Sequence, residues 1–425
     1  MKGDFTRDTY VPTRHYSRVL MQQGRVQLDA DWNEQTAIVV HYLRTLTADI
    51  LGPHAGPADN CGFELVTAAT AGRLGAVDGD GPRQKVLQAA LAKGDFAIRP
   101  GRYYVHGIMV ENEQTILYSE QLGYPFAGSP AVGDLHGGGS ALAYLEVWEQ
   151  LVTPVEDDHM REVALGGPDT CVRAQVTWTV KVLAAAPGAA GAACRDADSL
   201  PAIGTGRLRA RARLDKAPTE LCAIPPNARY RGAENQLYRV EVHAGGTAGG
   251  ANPATFKWSR DNGSIVFPIR TLSGIGATVE GVGRDDHQRL KPGQWVEVLD
   301  DRIERSGHPG ILALVDAVVD DFSVTLKIPV ATPPATIPTY GSSEAWLHPR
   351  LRRWDHAGDV GAYGGALLIT ESTTSPAAAD GWITVEDGVQ VWFAPGGQYL
   401  TGDYWEIPAR VFTGDVEWPH ETDGT

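Results

Sequence analysis

The side chains best placed to do chemistry in this chain come as acidic pairs. Asp157-Asp158, Asp285-Asp286, Asp300-Asp301 and Asp320-Asp321 each set two carboxylates side by side. Such pairs can hold Ca²⁺ or divide acid and base duties in glycoside hydrolysis. None sits in an EF-hand loop, with its alternating ligands, central Gly and terminal Glu. Most stand at the ends of strand-like runs, where Asp favours turns, so solvated turns are the expected reading. Asp29-Ala30-Asp31 looks superficially like a nucleotide-sugar metal site. No parallel α/β pattern surrounds it, so capping and dipole compensation at a helix start explain it better.

The other reactive residue types are equally plain. Twelve histidines contain no HxH or HExxH spacing, and His348, His356 and His420 lie near tryptophans, where packing is expected. Gly341-Ser342-Ser343-Glu344 is no nucleophile elbow. Gly137-Gly138-Gly139 lacks the Lys-Ser/Thr of a phosphate cradle. Cys61, Cys171, Cys194 and Cys222 show no CxxC pair, so no zinc site is expected. Cys194 and Cys222 could form a disulfide, with buried free thiols as the alternative. The expectation is a protein without cofactor, metal or catalytic residue, and therefore not an enzyme.

What remains is framework. Residues 141–148, 171–183, 237–243 and 254–269 alternate or are β-branched, and they are rich in Trp, Arg and Glu. With 49 Gly, 27 Pro and 11 Trp in 425 residues, the composition suits short strands, tight turns and aromatic packing between sheets. The fold class is mainly β, a multi-domain β-sandwich or barrel body. Asp261-Asn262-Gly263 marks a hairpin turn between residues 256–259 and 265–269. Residues 290–328 suggest a small barrel. The expected division is residues 1–57 as arm and helix and 58–185 as a β domain. After a low-complexity crossover, 186–275 continue the sandwich, 276–339 form an inserted barrel, and 340–425 return to the main body.

The N-terminus differs from the rest. Residues 4–23 read as an extended arm, followed by one amphipathic helix over 34–51. Asn33 or Asp31 can cap it, Ile38, Tyr42, Leu46 and Ile50 mark one face, and Gly52-Pro53 stop it. That stripe must be buried on the β body or on a neighbouring subunit, and for the surface that orders the arm and helix together the neighbouring subunit is favoured. Tyr10, Tyr16, Leu20, Met21 and Trp32 are candidate partner contacts. So are Arg207, Arg209, Arg211 and Arg213, which share one face of a period-two run, although a plain wet face explains them too.

The net charge of −15 argues against nucleic acid as partner, since phosphate binding needs a basic footprint. No apolar run reaches membrane-spanning length and no signal peptide is recognisable, so cytoplasmic synthesis without membrane insertion is expected.

Several segments together resemble an uncharacterised family encoded near phage-tail-like contractile injection systems. They are residues 1–7 and 15–35, the latter with Gln22-Gln23-Gly24-Arg25 and Asp29-Ala30-Asp31-Trp32-Asn33. Residues 230–241 follow, then Phe256-Lys257-Trp258-Ser259-Arg260-Asp261-Asn262-Gly263-Ser264, Leu351-Arg352-Arg353-Trp354-Asp355 and Gly402-Asp403-Tyr404-Trp405-Glu406. Residues 100–111 are also similar to β modules of phage tail and baseplate proteins. The resemblance implies a structural or accessory part of such a particle, at the baseplate or an appendage. Its partners would be other particle subunits or copies of itself, and the particle could be released from the cell. It brings no catalytic residues. The alternatives are a glycan-binding or adhesin-like module, with exposed Trp stacking on a surface glycan, and, third, a carbohydrate-active enzyme.

Overall fold

The computed structural model describes the chain except residues 75–80, 136–140, 185–202, 214–228, 284, 330–336, 359–362, 374–380 and 419–425. Cys194, Cys222, His420, Gly137–Gly139 and the crossover after residue 184 therefore lie outside the described residues. The fold is mainly β, in two compact units.

One unit comprises Asp8–Pro201 with Arg305–Gly307. It opens with helix α1 (Asp29–Leu51), five residues earlier than its pattern suggests. Leu28 is its N-cap and supplies no side-chain cap, so neither Asn33 nor Asp31 caps the helix. Instead Asp29 and Asp31 stand in the first turn, against the positive end of the dipole. Gly52 ends the helix at φ +83°, its N–H bonded to the Ala48 carbonyl at 2.8 Å. Short strands follow: β1 (His54–Ala55), β2 (Leu65–Val66), β3 (Ala97–Ile98), β4 (Gly101–Val105), β5 (Ile108–Asn112) and β6 (Ile116–Leu117). They form the sheets β1-β4-β5 and β2-β3-β6. A second helix, α2 (Gly81–Leu91), was not expected from the sequence; it buries only Leu87 and Leu91, too little for a periodic signal. β7 (Ala141–Val152) and β8 (Arg173–Ala184) pair antiparallel along their whole length, Ala141 opposite Ala184 and Val152 opposite Arg173. Phe96, Ile98, Tyr118, Phe126, Val180 and Val182 share one core there.

The other unit comprises Met1–Arg7, Ala202–Glu304 and His308–Thr425. Its strands are β9 (Leu208–Ala212), β10 (Gln236–Ala244), β11 (Thr255–Ser259), β12 (Val266–Ser273), β13 (Gly276–Val279), β14 (Trp295–Leu299), β15 (Ile311–Asp320), β16 (Ser323–Lys327), β17 (Arg350–Trp354), β18 (Leu367–Leu368), β19 (Ile383–Glu386), β20 (Val389–Phe393), β21 (Tyr404–Arg410) and β22 (Asp415–Val416). The sheet β18-β11-β10-β21-β22 and the sheet β19-β20-β9 enclose one core, to which Tyr238, Val240, Phe256, Trp258, Val391, Phe393 and Ile407 contribute. This is a sandwich. Between β11 and β18 the chain makes a closed barrel, β12-β13-β16-β15-β14-β17, around Val296, Val298, Val315, Leu326 and Leu351. The barrel extends past residues 276–339 on both sides, because β12 and β17 are needed to close it.

The expected hairpin at Asn262-Gly263 is half right. Asn262 (φ +50°) and Gly263 (φ +65°) take the positive φ of the turn, and Ser264 N–H bonds the Asp261 carbonyl at 2.9 Å. The flanking strands do not pair, however: β11 joins the sandwich, beside β10, and β12 joins the barrel, beside β17. A turn signal constrains four residues, while pairing is decided by the faces each strand must bury. The alternation itself holds, with Phe256 and Trp258 in the sandwich core and Lys257 outside it.

Candidate functional site

Two regions stand out, one in each unit, and they invert the usual distribution of polarity.

In the sandwich-and-barrel unit, charge is buried. β10 alternates: Tyr238, Val240 and Val242 enter the core, and Arg239, Glu241 and His243 take the opposite side. Glu241 stands opposite Lys257 on β11, and Glu297 on β14 opposite Arg352 on β17. Lys257 Nζ is the hub, 2.6 Å from Glu297 Oε1, 3.4 Å from Glu241 Oε1 and 4.5 Å from the Trp354 ring centroid. Trp354 Nε1 and Gly310 N–H donate to Glu297 at 2.9 and 3.2 Å. Arg239 Nε donates to Glu241 at 2.6 Å, with its guanidinium over the Tyr404 ring. Arg350 bridges Glu304 and Asp301, and Arg352 reaches Glu304 and the Gly263 carbonyl.

The electrostatics follow from burial and charge together. Desolvation alone would raise the carboxyl of Glu304, but Arg350, Lys2 and Arg352 outweigh it and hold it down at about 2. Glu241 and Glu297 are likewise held low against desolvation, Glu241 by Lys2, Arg239 and Lys257, and Glu297 chiefly by Lys257. His243 goes the other way for a base: burial, then the Lys257 charge, lower it to about 3, so its ring is neutral. Burial lowers His356 to about 4, and its ring stacks on Trp295. Ionic groups held this way define one register, since a slip leaves a buried charge unpaired. Asp300 and Asp301 belong to this interior, accepting from Tyr340 and Arg350, and so are not the solvated turn expected of them.

The first seven residues strap this interior. Lys2 Nζ lies 3.2 Å from Glu241 Oε1, and Asn262 Nδ2 donates to the carbonyls of Met1 and Gly3 at 2.8 and 3.0 Å. Arg410 donates to the Thr6 carbonyl at 2.8 Å. For residues 1–7 the surface that orders the arm is thus the chain's own sandwich, not the neighbouring subunit that was favoured. Sequence reasoning missed the cluster. Its signal was legible as charged residues alternating with aromatic or apolar ones in runs too apolar to be wet: Arg239–Glu241–His243, Lys257 between Phe256 and Trp258, and Arg350–Trp354.

In the other unit, apolar side chains are exposed. The arm runs beside α1, with Thr9 Oγ1 donating to Glu34 at 2.6 Å, Val19 N–H to Gln35 at 2.8 Å and Tyr10 packed on His41. Of α1 only Ala30 and Ile38 are buried. The expected face therefore splits: Ile38 is 1% exposed, but Tyr42, Leu46 and Ile50 are 53%, 58% and 72% exposed. An i, i+4 row drifts around a helix by about 40° per step, which carries it from the packed side to the open one. Tyr16, Leu20, Met21 and Trp32 are also exposed, Trp32 at 77%, while Tyr10 is half-buried.

The four arginines share a face as expected, with Leu208, Ala210 and Ala212 turned to the core. Arg207 and Arg213 are exposed; Arg211 lies 3.8 Å over the Trp382 ring and Arg209 5.9 Å from Trp392. Two of the four are thus engaged within the chain. Of the eleven tryptophans only Trp32 and Trp346 are mostly exposed. Cys61 and Cys171 are exposed thiols. Among the described residues no group of three or more His, Cys, Asp or Glu could hold a metal ion, and no helix is long and apolar enough to cross a membrane.

A family model, described as a family of unknown function (DUF6519), matches residues 1–205 and 202–425, which together span the chain. No curated protein and no solved structure matches it.

Proposed function

The chain belongs to the family of unknown function DUF6519, and from that premise we propose a structural or accessory component of a multi-protein assembly, acting through protein–protein contacts. The assembly we propose is a phage-tail-like contractile injection particle, with this chain at its baseplate or in an appendage. The observation that carries the contact role is the arm and helix α1. Leu20, Met21, Val26 and Leu28 in the arm and Trp32, Leu43, Leu46 and Ile50 on α1 are all exposed within 31 successive residues. Exposed apolar side chains gathered on one stretch of a folded chain support a contact surface. The particle itself is suggested by the sequence resemblance alone. No observation in the structure favours the glycan-binding or enzymatic alternatives over this reading.

The test is compositional. Particles purified from producing cells should contain the chain in fixed ratio to sheath and tube proteins by mass spectrometry. A variant carrying Trp32→Ala and Leu46→Glu should be made and folded but missing from them. Particles without the chain, or incorporation unaffected by the double variant, would overturn the proposal.

A further inference from the structure

We infer that α1 pairs with α1 of a second copy of this chain through a coiled-coil seam. This rests on the contact role proposed above and names the partner. The exposed side of the helix is regular: Trp32, Thr36, Val39, Leu43, Leu46 and Ile50 follow one another at intervals of 4, 3, 4, 3 and 4 residues, and every one is exposed. That spacing is a heptad repeat, with Thr36, Leu43 and Ile50 in one core position and Val39, Leu46 and Trp32 in the other. The side chains packed within the unit, Ala30 and Ile38, lie on the opposite side, so the seam is open along its full length. Thr36 is accommodated because its hydroxyl is bonded to the Trp32 carbonyl at 3.2 Å.

A second copy fits this stripe for three reasons. First, a heptad stripe is complementary to another heptad stripe, whose knobs fit its holes. A flat sheet or an irregular loop would not use the 4-3 spacing. Second, the positions flanking the seam are Asn33, Val40 and Thr47 on one side and Gln35, Tyr42 and Asp49 on the other. They carry a single charge, whereas the whole chain carries −15, so two strongly acidic copies meet here with little local repulsion. Third, apolar area is available along the stripe: Trp32, Val39, Leu43, Leu46 and Ile50 are 77%, 48%, 59%, 58% and 72% exposed, and a standard stable interface needs roughly 800 Å² per partner. A 23-residue helix is about 35 Å long, enough for three heptads.

The experiment is sedimentation of the full chain across a wide dilution series. The wild type should sediment at twice its 45.6 kDa mass. Leu46→Glu should return it to the monomer with an unchanged circular dichroism spectrum and thermal transition. Thr45→Glu, an exposed change off the seam, should leave the assembly intact. A monomeric wild type overturns the inference, and so does an assembly that survives Leu46→Glu. If the chain is monomeric alone yet needs Leu46 for entry into particles, α1 meets a different subunit and only the contact role stands. If it assembles through Leu46 but is absent from particles, the seam stands and the particle role falls.

Discussion

The ionic interior of the sandwich-and-barrel unit and the open seam of α1 are mirror cases. In the first, Lys257, Glu241, Glu297 and Arg239 are almost wholly out of water. In the second, Leu46, Ile50 and Trp32 are each more than half in it. Each arrangement is costly by itself. Buried ions lose hydration that their mutual attraction only partly returns, and exposed apolar groups forgo about 25 cal/mol per Å². The ionic interior resolves its cost inside one chain, where every carboxylate has a cation. The seam leaves its cost outstanding, which is the ground for the partner proposed above.

This contrast predicts opposite responses to substitution. The largest effect should come from Lys257→Met. It leaves Glu241 to Arg239 and Lys2 but takes from Glu297 the cation nearest it, and breaking a buried pair from one side costs about 3–5 kcal/mol. Chemical denaturation should show it as a large loss in midpoint for the sandwich-and-barrel transition. A loss under about 1 kcal/mol would mean that the cluster is wetter than its geometry. Adding Glu297→Leu to that variant should recover part of the loss, because the second carboxylate no longer needs a partner.

Acid should act on the same unit next. His243 and His356 have folded pKa values near 3 and 4, below the value of about 6.5 in an unfolded chain. The unfolded chain therefore binds their protons first. Their stabilising contribution is complete above pH 6.5 and drains away as pH falls toward 3, at up to about 1.4 kcal/mol per pH unit for each ring. Glu304, depressed to about 2, adds a loss of the same sign between about pH 4.5 and 2. Midpoints measured from pH 7 to 5 should fall with His243 present and fall less steeply in His243→Leu; identical slopes would contradict the assignment.

Gly263→Val should cost about 1–2 kcal/mol from positive φ. A Cβ there would stand in ordinary contact with Lys2, Arg239 and Trp354, 3.5–3.7 Å away, so the positive φ carries the cost. An unchanged midpoint would remove the turn from the account. The smallest effect on the chain itself belongs to the seam. Ile50→Gln should change unfolding stability by no more than about 0.5 kcal/mol, as for other exposed positions, while weakening assembly. A large loss of monomer stability would show that α1 is packed in solution, and the comparison would collapse.

Much of the framework was legible from residues alone. The alternation in Phe256–Lys257–Trp258, the period-two run through Arg209 and Arg211, and the three strands between Trp295 and Lys327 were all readable, because side-chain periodicity is a local property. The barrel's limits were not, since β12 and β17 close it across a sequence gap that no local pattern spans. The buried cluster was hidden for a related reason. Lys257 and Glu297 look like surface residues until pairing across forty positions brings them together. The exposure of α1 was visible only as a question. Its stripe was clear, and what covers it depends on three-dimensional packing.

The strap joins residues far apart in the sequence: Lys2 meets Glu241, and the backbone at Thr6 meets Arg410, 404 positions on. On a ribosome the first residues emerge long before their dock exists, because β21 is among the last strands made. Lys2 must therefore wait until Glu241 and the strands beside it are made, and loop closure over such a span is slow compared with local pairing. The strap is thus a closing step in maturation. A chain interrupted before Arg410 would leave its own beginning loose, and trimming of that loose end by a protease would mark the incomplete copies.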